Sequence, residues 1–359
     1  MAGRSNRYGY REYRGRGGGH STVLIFIIAL LAVLLIAGVV FMAVMGDYIY
    51  YTPTGMEINW PWLKQDASAP PVFSDPVVVA TDDIVVTVEP APGSVYAPAS
   101  TLAAVTVTAD QLRNGTAAQV VADAGGSALV VEMKANTGRL AWQSQTGLAA
   151  SLNVSAADNG VADAIRELAR EGELYLVARV HCFSDMFLTN AWIDPLMSSQ
   201  GRIWYDLHGF GWSSPASQEA ADYLSALCRE LADMGFDEIL LDSAGYPCLG
   251  EMDELATDDN RPENRTAPVA DFLQRVAEEL EEKDVYLSVY AYEALTPGGE
   301  VYSGLTANLL AQNAGRVWLD AAVDREYYES ILSAAGVGNL AVRVVVPAGG
   351  AAAGGSWYQ

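Results

Sequence analysis

The stretch FDEILLDSAGYP, Phe236 to Pro247, decides how this chain is read. A short apolar run, Glu238–Asp242, ends on a carboxylate, and the chain then turns through Gly245 and Pro247. An apolar run of four to eight residues between turn signals reads as a strand buried on both faces. It is flanked by two helical patterns. Upstream, SSPASQEAADYLSALCRELADMG repeats Leu224, Leu227, Cys228 and Leu231 at helical spacing, with Ser214 expected as cap and Pro215 in the first turn. Downstream, TAPVADFLQRVAEELEEK places Val269, Phe272, Leu273, Val276 and Leu280 on one face.

The same alternation extends in both directions. LAAVTV (102–107), ALVVEM (128–133) and LYLVARVHCF (174–183) precede the quoted strand; VYLSVYAY (285–292), RVWLDA (316–321) and LAVRVVVP (340–347) follow it. Helical patterns separate them, including 111–124 and DNGVADAIRELAREG, with Asp158 as expected cap and Gly172 as stop. Continuous apolar strands alternating with amphipathic helices imply an α/β chain with a parallel sheet covered by helices. Seven repeats over about 250 residues predict a (β/α)8 TIM-like barrel, in preference to an open doubly wound sheet. The count is one short, so the eighth strand is either the terminal SWYQ or missing, leaving the barrel incomplete. In a parallel barrel the C-terminal strand ends form the functional face. Asp242 ends strand four and is therefore expected at that mouth, either as a chemical group or as a cap or salt-bridge partner.

The chain has 359 residues and a formal net charge of −23, which argues against nucleic acid as a partner. The first twenty residues run the other way, with five arginines (Arg4, Arg7, Arg11, Arg14, Arg16) and one acid, Glu12. Between the two parts lies VLIFIIALLAVLLIAGVVFMAVM, 23–45, which carries no charge. It is long enough for a hydrocarbon core of roughly 30 Å and too long for a cleaved signal peptide. The arginines precede it, so the positive-inside rule predicts a single-pass cell-membrane protein with a cytoplasmic N-terminus and an extracellular C-terminal domain. The expected organisation is a cytoplasmic Arg/Gly-rich tail (1–22), a transmembrane helix (23–45), a proline-rich spacer (46–76) and a barrel domain (77–359). Two short strands are expected around Asp82-Asp83.

The three cysteines, Cys182, Cys228 and Cys248, have no C-x-x-C spacing. Cys228 reads as core, and a bridge between Cys182 and Cys248 is one option. His20, His181 and His208 lack metal-ligand spacing, so no metal is expected, and no glycine-rich phosphate loop or other cofactor motif is present.

The segments LVVEMKANTGRLAW, LYLVARVHCFSD and ELADMGFDEILLDSAGYP carry a resemblance. In order and spacing they are similar to a family of bacterial surface proteins described as "putative glycosyl hydrolases", whose motifs read V-V-D-V-K-D-D-T-G, A-R-I-V-V-F-K-D and E-L-G-F-D-E-I-Q-F-D-Y-V-R-F-P. The resemblance runs from about Thr101 to Asp320 and implies a TIM barrel with a glycosidase-type site. Arg179, Asp185, Asp242 and Pro247 match the pattern. Glu132 stands for the family's strand-two Asp, Ala135-Asn136 for its D-D, and Gly245 for an Arg. Tyr290 stands for the strand-five Asp, and Ser214 for the Asp of W-x-D-P.

Glycosidic hydrolysis ordinarily needs two carboxylates, about 5–5.5 Å apart in retaining and about 6.5–9.5 Å apart in inverting enzymes. Asp242 is the expected nucleophile or base, with Glu293 and Asp185 as catalytic partners; Glu132 and Arg179 are expected to contact substrate. The loop 184–214 is rich in rings, and Trp204, Trp212, Tyr246 and Tyr290 are expected to stack on sugar faces. The expected partner is therefore a polysaccharide or oligosaccharide. The alternatives are a catalytically inactive carbohydrate-binding barrel and a surface scaffold.

Overall fold

The structure, a computed structural model, describes residues 49–52, 55–58, 98–255, 264–291, 295, 299–320, 324–350 and 354–359. The chain divides into two units, 1–87 and 88–359. In the first, Ile49–Thr52 pairs antiparallel with Gly55–Ile58, a short hairpin inside the stretch read as a spacer. The apolar segment 23–45, the N-terminal tail and the strand pair expected around Asp82 lie outside the described residues. Among the described residues no helix is long and apolar enough to cross a membrane.

The second unit is a closed barrel of eight parallel strands. They are β1 (Ala103–Val107), β2 (Ala128–Lys134), β3 (Tyr175–His181), β4 (Glu238–Asp242), β5 (Tyr286–Tyr290), β6 (Arg316–Trp318), β7 (Val344–Pro347) and β8 (Trp357–Tyr358). The terminal SWYQ thus supplies the eighth strand: Trp357 pairs with Val346 on one side and Ala103 on the other. Ser356 fastens this seam, accepting the Leu102 N–H at 3.0 Å and donating to the Val342 carbonyl at 3.0 Å.

Because strand side chains alternate, each strand feeds two cores. Ile239 and Leu241 of β4 join the large core under the helices. Leu240 joins a small core inside the barrel with Leu102, Ala104, Val130, Val177, Trp318 and Val345. Glu238 and Asp242 share Leu240's parity and close its two ends.

The helices are α1 (Ala109–Arg113), α2 (Ala117–Asp123), α3 (Gly147–Leu152), α4 (Gly160–Glu171), α5 (Met186–Asn190), α6 (Gln218–Met234), α7 (Thr266–Glu281), α8 (Gly299–Ser303), α9 (Ala307–Asn313), α10 (Arg325–Ala334) and α11 (Leu340–Arg343). The pattern read over 111–124 is two helices, split at Asn114-Gly115, where Gly115 takes a φ of +74°. Helix α6 starts later than expected: its cap is Ser217, whose Oγ accepts the Ala220 N–H at 3.3 Å, while Ser214 lies in the preceding turn. Asn159 occupies the cap position of α4 and Asp158 bonds the Gly160 N–H, while Gly172 ends the helix with a φ of 67°. The five apolar residues on the α7 stripe are all buried. Each such side chain is worth roughly 1.5–3 kcal/mol.

Candidate active site

The parity that buries Leu240 sends Asp242 into the mouth of the barrel. There a cavity of about 380 Å³ is lined by Arg179, His181, Asp242, Tyr246, Tyr290 and Asp320, with Trp212 and the 206–210 turn on its wall.

Asp242 is almost fully buried and strongly held. Arg179 donates to its Oδ2 from Nε at 2.9 Å and also through a second guanidinium nitrogen. Ser243 Oγ donates to Oδ1 at 3.0 Å, and Ser243 itself sits in the left-handed region at a φ of 52°. Such a backbone costs about 1–3 kcal/mol and persists where the surroundings over-determine it. Burial pushes the Asp242 carboxyl up, but the charges of His181 and Arg179 and the hydrogen bonds from Arg179 and Ser243 outweigh it. The carboxyl ends below the usual carboxylate range and is ionised at neutral pH.

His181, last residue of β3, lies between two acids. Its Nε2 is 3.2 Å from Glu132 Oε2 and its Nδ1 is 3.6 Å from Asp242 Oδ2. Glu132 is half exposed at the rim, and the His181 hydrogen bond lowers its carboxyl despite partial burial. Across the mouth, the Arg179 guanidinium lies 4.9 Å from the centre of the Tyr290 ring. Tyr290 donates to Asp320 Oδ2 at 2.9 Å and meets Tyr358 Oη at 3.2 Å. Burial, with the bonds to Tyr358 and Asp320, pushes the Tyr290 phenol up, so it stays a neutral donor.

The expected site residues therefore separate. Asp242, Arg179, Tyr246, Tyr290 and Trp212 line the cavity, and Glu132 stands at its rim. Asp185 does not: it is buried beneath the mouth, 2.7 Å from Lys134 Nζ, and it caps α5 by accepting the Phe187 and Leu188 N–H groups at 2.8 and 2.9 Å. Its packing explains Gly138, where a Cβ would lie 2.3 Å from Asp185 Oδ1. Trp204 is buried rather than facing sugar; its indole bonds the Glu251 carbonyl at 3.1 Å and pins the 198–206 loop against 250–255. Glu293 lies outside the described residues. Cys182 is unbridged and sealed in the core, so the optional bridge to Cys248 is not formed; Cys228 is buried, and Cys248 is half-buried.

Three groups escaped the sequence reading. His181 lacks metal-ligand spacing, yet its position two residues after Arg179 on β3 places both on one face. Asp320 has the same parity after Arg316 and Trp318 that Asp242 has after Glu238 and Leu240, and that signal was readable. Asp206 was invisible, because a loop fold places it: its Oδ1 accepts the His208 and Phe210 N–H groups and its Oδ2 the Trp212 indole, each at 2.9 Å. The structure also explains Gly245. A side chain there would meet the Ser303 carbonyl at 2.5 Å, so the arginine that the resemblance expects has no room. Among the described residues no cluster of three or more His, Cys, Asp or Glu could hold a metal ion.

The chain is similar to several known structures. The glycoside hydrolase domain of PgaB (BpsB) from Bordetella bronchiseptica is 14% identical, with a TM-score of 0.51 over 68% of this chain and 83% of that one. A hypothetical protein from Ruminiclostridium thermocellum is 20% identical, with a TM-score of 0.45 over 52% of this chain and 97% of that one. A GH20 exo-β-N-acetylglucosaminidase from Vibrio harveyi is 10% identical, with a TM-score of 0.45; the match covers 70% of this chain and 42% of that one. No curated protein matches the chain. Residues 101–313 match the family described as "Putative glycosyl hydrolase domain", a span that holds the first five strands and every mouth residue named above except Asp320 and Tyr358, and the chain belongs to that family.

Proposed function

We propose that the mouth of the barrel binds a polysaccharide or oligosaccharide and hydrolyses a glycosidic bond, with Asp242 as nucleophile or base. One observation carries this reading: an ionised carboxylate, aimed by Arg179 and Ser243, faces a partly aromatic cavity at the strand ends. In either role the group must be charged, and the lowered Asp242 carboxyl meets that need. Trp212 and Tyr290 give the cavity aromatic walls for a sugar, and Arg179, already engaged, fixes the acid rather than the substrate. In the same reading the segment 23–45 anchors the chain in the cell membrane, with residues 1–22 cytoplasmic and the barrel outside. The substrate is then an extracellular or cell-wall polysaccharide.

The test uses the purified chain against a panel of polysaccharides, with reducing-end release as readout. We expect hydrolysis of at least one, and a loss of about a hundredfold or more in Asp242→Asn. Unchanged rates in that variant would remove Asp242 from the mechanism. A second reading, saccharide binding without turnover, is favoured by how many acids are already committed: Asp185 to Lys134, Asp206 to its own turn and Trp212. It predicts saturable binding, no product, and loss of affinity in Trp212→Ala.

A further inference from the structure

The two oxygens of Asp242 are not equivalent. Oδ2 takes the Arg179 Nε–H at 2.9 Å and a second guanidinium N–H, and His181 Nδ1 lies 3.6 Å from the same oxygen. A carboxylate oxygen has about two lone-pair sites, so Arg179 fills Oδ2. Among the described residues Oδ1 accepts from Ser243 Oγ alone, at 3.0 Å, and keeps a site open. A sugar that reaches Asp242 therefore meets Oδ1. Ser243 is itself half-buried on the wall of the cavity, in the left-handed backbone described above. Glycine would take that backbone freely; serine brings strain and one hydroxyl. The family motif quoted above has a tyrosine at this position, so the contact is this chain's own. A hydroxyl has one hydrogen and two lone pairs. The hydrogen goes to Oδ1, and among the described residues nothing donates to Oγ in return, so its lone pairs remain for a donor in the cavity.

We propose that Ser243 is a substrate-positioning residue: its Oγ accepts a hydrogen bond from the sugar hydroxyl beside the reacting carbon, while its own hydrogen holds Asp242 Oδ1 towards that carbon. This rests on the hydrolytic reading above. The closeness of Oγ to Oδ1, 3.0 Å, favours that hydroxyl over the others. A sugar carbon held against Oδ1 carries its nearest ring hydroxyl on the neighbouring carbon, two bonds away, and the next lies a further carbon off. The substrate class that follows is a glycan whose reacting sugar keeps its 2-hydroxyl free. Hydrogen bonds to this hydroxyl strengthen in the transition state of glycoside hydrolysis, so Ser243 acts on kcat as well as on KM.

The experiment compares wild type, Ser243→Ala and Ser243→Gly on 4-nitrophenyl glycosides of mono- to tetrasaccharides, each paired with its 2-deoxy analogue. The intrinsic reactivity of the deoxy sugar cancels when the ratio of the two rates is compared between proteins. We expect both variants to lose about tenfold or more in kcat/KM on the hydroxyl-bearing member, the loss expected for a hydrogen bond at a charged group. On the deoxy member, which has no hydroxyl to bind, they should lose less than about threefold, so that the ratio shifts between wild type and variant. Ser243→Gly suits the left-handed backbone and carries the test if Ser243→Ala does not fold. A serine that only braces Asp242 would depress both members alike. That result, or unchanged rates, overturns the proposal while leaving hydrolysis by Asp242 in place. A wild-type chain that cleaves neither member of any pair overturns both the proposal and the hydrolytic reading.

Discussion

Strand β4 begins and ends on an acid, and each acid is paired with an arginine. At the start, Glu238 bonds Arg316, accepts from Tyr175 Oη at 2.9 Å and takes the Trp318 indole N–H at 3.2 Å. Both charged side chains are at most 1% exposed. At the end, Asp242 bonds Arg179, whose side chain is 32% exposed and lies over Tyr290. The first pair is buried among several partners: Arg316 also reaches the Ser100 carbonyl at 3.0 Å and the Val342 carbonyl at 3.3 Å. The second opens onto a cavity. An acid and an arginine form a buried plug at one end of the strand and line a cavity at the other. The difference is exposure: the first pair is almost fully covered, and the second is partly open.

Three predictions would break or sharpen that contrast. The largest effect is expected at the plug. Glu238→Ala leaves a buried guanidinium uncompensated and should cost about 3–5 kcal/mol in denaturant unfolding. A loss under about 1 kcal/mol would mean that the two ends do not differ as described. Trp204→Ala comes next. It should cost nearly as much, about 3 kcal/mol, because the ring is packed, yet leave saccharide affinity within a few-fold, whereas Trp212→Ala, which truncates a ring that also packs into the core, should cost stability too but weaken binding about tenfold. Equal affinity losses in the two variants would place both rings at the sugar. The smallest effect concerns pH. Asp242 and Glu132 are lowered in the folded chain, so near their ordinary values the unfolded chain binds more protons than the folded one. Their contribution to stability is present above about pH 4 and is lost as pH falls through the folded values. Asp242→Asn should flatten this acid limb; a limb of unchanged steepness would show that the Arg179 pair contributes nothing there.

The cysteine and loop residues show a further contrast between legible and hidden features. Cys228 reads as core from helical spacing and is buried in α6. Trp204 and Trp212, eight residues apart in one ring-rich loop, look alike in sequence. One pins the loop and the other lines the cavity, because isolated bridges such as Met197 with Ile203 and Tyr205 with Gly211 fold the loop on itself. No periodicity encodes those pairings.

The sequence by itself determined the barrel, since apolar runs alternating with amphipathic helices leave a covered parallel sheet as the way to bury both, and it placed Asp242 at the C-terminal mouth through strand parity. It left open whether SWYQ closes the ring. Only the tertiary structure decided the rest. Trp357 meets partners more than two hundred and fifty residues away and eleven residues away at once. Asp185 is tied to Lys134, His181 arrives beside Asp242, and Asp320 joins the same cavity from a strand distant in sequence. Local pattern fixes which way a side chain points. Which charge waits at the end of that direction depends on strands brought together by the closure of the barrel, and that pairing sets whether an acid is a plug, a cap or part of an open cavity.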